Sequence, residues 1–185
     1  MKLSHLGNIL GIAFLSIFVL SSIAYAKTAK EIDVSVDVAL EKFEKEVFGA
    51  KDMLKKAKGV LVFPNVIKAG IGLGGEYGVG ALRINGKTVG YYNTVGASIG
   101  FQLGGQAFRE YLLFMEQDAL DKFVKSEGWK AGADGSIALI KVGADGSVDT
   151  TKTNEPILGF VLDQKGLMYN LNLEGSKYNK IKPKE

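Results

Sequence analysis

Residues 69–105 read AGIGLGGEYGVGALRINGKTVGYYNTVGASIGFQLGG and hold half of the chain's 24 glycines. Glycine weakens both helices and strands, so this density within an apolar, alternating stretch answers a close-packing demand. Gly70, Gly72 and Gly74 fall on one face of an extended chain and Ile71 and Leu73 on the other, and Gly78 and Gly80 repeat the pattern around Val79. One face of the sheet is therefore nearly bare backbone. Asn85-Gly86 is the favoured two-residue hairpin turn, which predicts antiparallel pairing of Ile71–Ile84 with Thr88–Gly96. Strand pattern continues to about Met115.

Working outward, Val36, Leu40, Phe43 and Val47 recur at helical spacing and predict a helix from Ser35 to near Gly49. A second short helix carries Ala50, Met53, Leu54 and Ala57. Gly59–Phe63 reads as a short strand closed by a Pro64-Asn65 turn. Beyond the glycine block, Glu116–Glu127 is helical, with Gly128 as its C-cap. Gly132-Ala133-Asp134-Gly135-Ser136 recurs word for word at 143–147, each copy a turn beside a short strand. Ile157–Leu162 and Leu167–Leu173 read as a hairpin about Asp163-Gln164-Lys165-Gly166, and Lys177–Glu185 as a polar, mobile tail. The fold class is α+β: an antiparallel sheet with glycine-rich strands, open or barrel-like, packed by N-terminal helices and one mid-chain helix. Helical periodicity on both sides of the block argues against an outer-membrane barrel.

The first 26 residues have the form of a secretory leader: Lys2, an apolar run from Ile9 to Ile23, and Ala24-Tyr25-Ala26 as a cleavage site. The apolar run is short for a spanning helix. The expected organisation is a cleaved leader (1–26), a linker (27–34), one domain (35–179) and a polar tail (180–185), exported to the periplasm or attached peripherally to the envelope. Export would permit disulfides, but the chain has no cysteine. Cleavage also removes His5, the only histidine, so the mature chain lacks the residues of a thiolate or imidazole metal site and of a Ser-His-Asp triad. No catalytic residue, metal or cofactor is expected.

Two motifs tempt otherwise. Gly96-Ala97-Ser98-Ile99-Gly100 fits the nucleophile elbow, and Gly70-x-Gly72-x-x-Gly75 fits the dinucleotide fingerprint. Both need a strand-to-helix turn, and both sit in sequence that continues as strand. A hydrolase using Ser98 without histidine is the weakest of three function classes, and nucleotide and nucleic-acid binding are not expected.

FPNVIKAGIGLGGEYGVGAL (63–82), NGKTVGYYNTVGASIGFQLGGQ (85–106), GADGSIAL (132–139) and LNLEGSKYN (171–179) together resemble the SYLF domain, found in eukaryotic actin-patch proteins and in exported bacterial proteins. The resemblance spans about Ser35–Asn179. It implies non-catalytic binding of anionic phospholipid. Phosphoinositides and actin do not suit an exported protein, so phosphatidylglycerol or cardiolipin is the expected ligand and actin binding is not carried over. Eukaryotic members insert an N-terminal amphipathic segment, whereas here only the modest Lys27–Val34 stretch follows the leader.

Charge distribution adds to this. The mature chain carries 22 basic and 20 acidic residues, the 23 and 20 of the whole chain less Lys2. Net charge therefore says little, but Lys51, Lys55, Lys56, Lys58 and Lys68 cluster at the start of the glycine block and Arg83 lies within it. These six residues are the candidate lipid-facing basic patch. The rival class is a structural or protein-interaction module of the envelope, using the glycine faces and Tyr77, Tyr91, Tyr92 and Phe101. Protein partners are not identified by the sequence.

Overall fold

The computed structural model describes residues 27–149, 152–166, 173 and 175–185, with backbone alone at 71–73, 98–104 and 164–166. The leader and most of the second strand expected at 167–173 lie outside the described residues.

Two helices open the described chain. Helix α1 (Ala29–Glu46) begins with a capping box in which Thr28 and Glu31 satisfy each other's backbone N–H groups. The stretch expected to be a linker is thus the first turns of α1. Ile32, Val36, Ala39 and Phe43 form its buried stripe. Helix α2 (Ala50–Lys56) follows from Gly49, whose φ of 76° makes the corner.

The glycine block belongs to two very long strands, β1 (Gly59–Ile84) and β2 (Lys87–Phe114), paired antiparallel about Asn85-Gly86 as expected. Pro64-Asn65 does not end a strand. It forms a bulge: Phe63 pairs with Glu110 and Val66 with Phe108, so two residues on β1 oppose one on β2.

The hairpin is doubled over upon itself. A Cβ at Gly80 would stand 1.9 Å from the Val62 carbonyl oxygen, and one at Gly78 would meet Val66 at 2.8 Å. Each contact joins the two arms of one strand, and the fold-back centres on residues 70–74 of β1 and 98–104 of β2. At Gly78 and Gly80 the face is bare because the backbone of the other arm, at Asn65 and Val62, lies on it. Inside the fold, Leu61, Phe63, Leu82, Tyr92, Leu112 and Phe114 pack with Phe123 and Trp129. On the outer face, Val60, Val62, Ala81, Tyr111, Leu113 and Phe160 pack under α1, with Phe43 stacked on Tyr111 at 4.6 Å.

Helix α3 (Gln117–Lys125) closes the inner core through Leu120 and Phe123, and its C-cap is Ser126 rather than Gly128. Strands β3 (Trp129–Lys130), β4 (Ala138–Ile140), β5 (Ile157–Gly166) and β6 (Lys177–Ile181) complete a six-stranded sheet among the described residues, in which only β4–β5 is parallel. Two expectations are corrected here. Asp163–Gly166 is not a turn, because β5 runs through it along β2, with Asp163 at a φ of 56° where the register shifts. The polar tail is structured: Lys177–Ile181 pairs with β2, and Lys184 bridges to Thr28. Alternation is weak in KYNKI, but Tyr178 buries one side and anchors the strand. The architecture is α+β, as expected. The repeated GADGS segments are both turns, though Gly132 holds the positive φ in the first and Gly146 in the second.

Candidate functional site

The six basic residues divide. Lys51, Lys55, Lys56 and Lys58 are all exposed on and just after α2. Lys51 pairs loosely with Glu44 at 3.9 Å, while among the described residues Lys55, Lys56 and Lys58 have no carboxylate within 4 Å. Lys55 lines a cleft of about 270 Å³ with Leu54, Gly59, Arg83 and Asn85, which places α2 beside the hairpin turn.

Arg83 leaves the patch. Its guanidinium reaches Asp37 at 2.7 Å and Asp33 at 3.5 Å on successive turns of α1, and Asp33 also accepts from Thr88 and Tyr91. Arg83 thus fastens α1 to the hairpin. Placing Asp33 in a linker concealed this pairing.

Lys68 leaves it too. The Pro64-Asn65 bulge shifts the alternation by one, so Lys68 turns inward, 7% exposed, and pairs with Glu76 at 3.8 Å across the fold-back. Ser176 donates to the other oxygen of Glu76. Nearby, Tyr178 donates to Glu110 Oε1 at 2.5 Å, while Glu110 Oε2 and the Thr94 hydroxyl have no partner among the described residues. This buried polar cluster occupies the bend side of the inner core. Even spacing along β2 puts Glu110 on the face of Phe108 and Leu112, the one sequence signal that could have exposed it.

Burial pushes the Glu110 carboxyl up to about 8, the charge of Glu76 adds to this, and the Tyr178 hydrogen bond opposes it. Burial also holds the Tyr178 phenol well above its ordinary value. Because the folded value for Glu110 exceeds the ordinary 4.5, the folded state holds the extra proton between these limits. Its stability contribution is full at acid pH and is lost as pH rises toward about 8. Glu110→Gln removes this loss. Urea unfolding should show the variant gaining on the parent between about pH 5 and about pH 8.5. An equal offset at both pH values would refute the assignment.

A second buried cation acts as a staple. Arg109 donates from Nε to Asp163 at 2.8 Å, from Nη1 to Tyr111 at 3.0 Å and from Nη2 to Glu46 at 2.5 Å, tying the end of α1 to β2 and β5.

Neither enzyme-like motif has its required setting. Ser98 lies within β2 opposite Gly74, and Gly70–Gly75 lies within β1, so neither stands at a strand-to-helix turn. Among the described residues no group of three or more His, Asp or Glu side chains could hold a metal ion, and no helix is long and apolar enough to cross a membrane. Tyr92 is core and Tyr91 is bonded to Asp33, which leaves Tyr77 as the exposed ring among the described aromatics considered for association.

Residues 95–183 match the family model described as Ysc84, Las17-binding protein actin regulator. The chain is also 31% identical over 158 residues to Beta cell expansion factor A of Aeromonas veronii, an alignment covering 82% of this chain. The chain spans 58% of that relative's length.

Proposed function

Because the chain belongs to the Ysc84 (SYLF) family, we propose that it is an exported, non-catalytic module that binds anionic phospholipid at a membrane surface. The observation that carries this reading is the set of exposed lysines that have no carboxylate within 4 Å among the described residues: Lys55, Lys56 and Lys58 on one side of the molecule, Lys130 and Lys177 on another. Each lysine near an anionic surface contributes on the order of 1 kcal/mol, so such groups suffice for reversible attachment. The compartment would be the periplasm, or the envelope surface facing it. Actin regulation, named for the family model, is not part of the proposal.

Vesicle flotation tests it. The protein should float with phosphatidylglycerol- or cardiolipin-rich vesicles at low salt, lose most of that binding at high salt, and ignore phosphatidylcholine. Equal binding to charged and neutral vesicles, or none to either, would refute it. A second reading, a protein-interaction module, draws on Val34 and Val38, which stand one turn apart on α1 at 56% and 49% exposure. It predicts an oligomer or captured partner that Val34→Asp abolishes.

A further inference from the structure

The bend of the doubled hairpin is itself without charge. Between Lys68 and Glu76 on β1, and between Lys87 and Arg109 on β2, the sequence contains no Asp, Glu, Lys, Arg or His. Lys68 and Glu76, the charges bordering the bend on β1, are turned inward against each other and 7% exposed. Outside, Ile67 and Tyr77 flank the bend at 54% and 49% exposure.

Basic residues border this end. Lys177 pairs in register with Val95, and Lys130 with Lys177. Both lysines are exposed, and among the described residues neither has a carboxylate within 4 Å. They line a shallow groove with Val95, Gly96, Ala97 and Asp134, and the Asp134 carboxylate is engaged by the Lys130 backbone N–H at 2.6 Å. On the opposite flank, β5 brings Lys165 into register with Ala107.

We propose that this end of the doubled hairpin, residues 67–77 and 95–107, is the part that enters the interfacial layer of an anionic bilayer, with Lys130 and Lys177 against the headgroup phosphates. The inference rests on the phospholipid binding proposed above and locates it. Three features suit the bend to that layer. It carries no charge to desolvate. The β1–β2 ladder enters it from both sides, from Ala69 with Gly105 to Ile71 with Leu103 and from Leu73 with Ile99 to Glu76 with Gly96, and breaks only at the tip, where Gly72 faces residues 100–102, so much of its backbone is already paired. Tyr77 presents an amphipathic ring of the kind favoured at membrane interfaces. The α2 lysines lie at the hairpin-turn end instead, roughly 30 Å away along the strands. One flat membrane contact cannot serve both ends.

The chain lacks cysteine, so a single introduced one is a unique label site. An environment-sensitive fluorophore is attached in turn at Ile67→Cys, Tyr77→Cys and, on α2, Lys56→Cys, and each protein is mixed with phosphatidylglycerol vesicles. Labels at 67 and 77 should shift to the blue and be quenched by spin-labelled lipid, and the label at 56 should not change. Lys130→Glu with Lys177→Glu should weaken flotation by at least about thirtyfold, and Lys55→Glu with Lys56→Glu by less than about threefold. Flotation with burial at 56 alone would overturn the inference and leave phospholipid binding standing. Loss of flotation in the parent protein would overturn both. A blue shift that grows with protein concentration in the absence of vesicles assigns the bend to a second copy of the chain and also overturns it. If the charge-reversed pair fails to fold, the labels at exposed positions decide.

Discussion

Gly80→Ala should cost roughly 3 kcal/mol or more, enough to unfold a domain of ordinary stability. The added methyl would stand 1.9 Å from the Val62 carbonyl oxygen and 2.8 Å from the Phe63 ring. Backbone cannot yield there as a flexible side chain could, because Val62 is itself held in register with Tyr111 and buried under α1. Relief would require the two arms of β1 to part. Gly105→Ala is the control, since a Cβ there would lie 4.0 Å from its nearest neighbour, and its effect should stay within about 0.5 kcal/mol. Urea denaturation of the pair measures the difference. A mild Gly80→Ala would mean that the arms are not in contact.

The second large effect is expected at Arg109. Replacing it with methionine keeps the side chain's bulk but strands Glu46 and Asp163, which the guanidinium serves through two nitrogens, and removes the bond that a third gives the Tyr111 hydroxyl, which keeps its own bond to the Ala39 carbonyl. The carboxylates keep some hydration, at 43% and 42% exposure, so the cost should be about 2–3 kcal/mol. Lysine should recover only part of it, because one ammonium cannot reproduce the planar fork that spans three acceptors. The loss should appear as a lower urea midpoint, with Arg109→Lys between the parent and Arg109→Met. A full recovery by lysine would show that charge alone matters there.

Much of the fold was legible in the residues. Asn85-Gly86 specified the hairpin, the helical spacing from Val36 to Val47 specified α1, and the glycine face announced a close approach of backbone. What covered that face was not legible. The expected partner was an unspecified packing neighbour, and the actual one is the same strand returning, a contact that no local pattern records. The Pro64-Asn65 bulge had the largest consequence for the site. By opposing two residues to one it reversed the alternation beyond it and drew Lys68 into the core. A surface-patch reading from spacing alone could not foresee that.

Pairing across long sequence separations was equally hidden. Arg83 meets Asp33 and Asp37, Tyr178 meets Glu110, and Ser176 meets Glu76 only because the sheet brings them together. The exposure of Lys51, Lys55 and Lys56 on α2 and of Lys58 just after it was legible because a short amphipathic helix declares its own solvent face. That Lys130 and Lys177 stand side by side was not legible, because they are remote in sequence and adjacent only through the β3–β6 pairing. The tail strand was missed for a similar reason: its five residues are mostly polar, and their order comes from hydrogen bonds to β2.

The doubled hairpin underlies both the expected sensitivity at Gly80 and the charge-free bend proposed to meet the membrane. Its most direct test is a distance. Spin labels on Lys58→Cys and Lys87→Cys, two exposed positions at opposite ends of β1, report whether the strand returns on itself. The doubled form predicts a separation below about 30 Å, because Gly59 and Ile84 lie side by side, whereas an unbent strand of 26 residues would hold the labels about 85 Å apart. A short, narrow distance distribution supports the account, and a long one contradicts it.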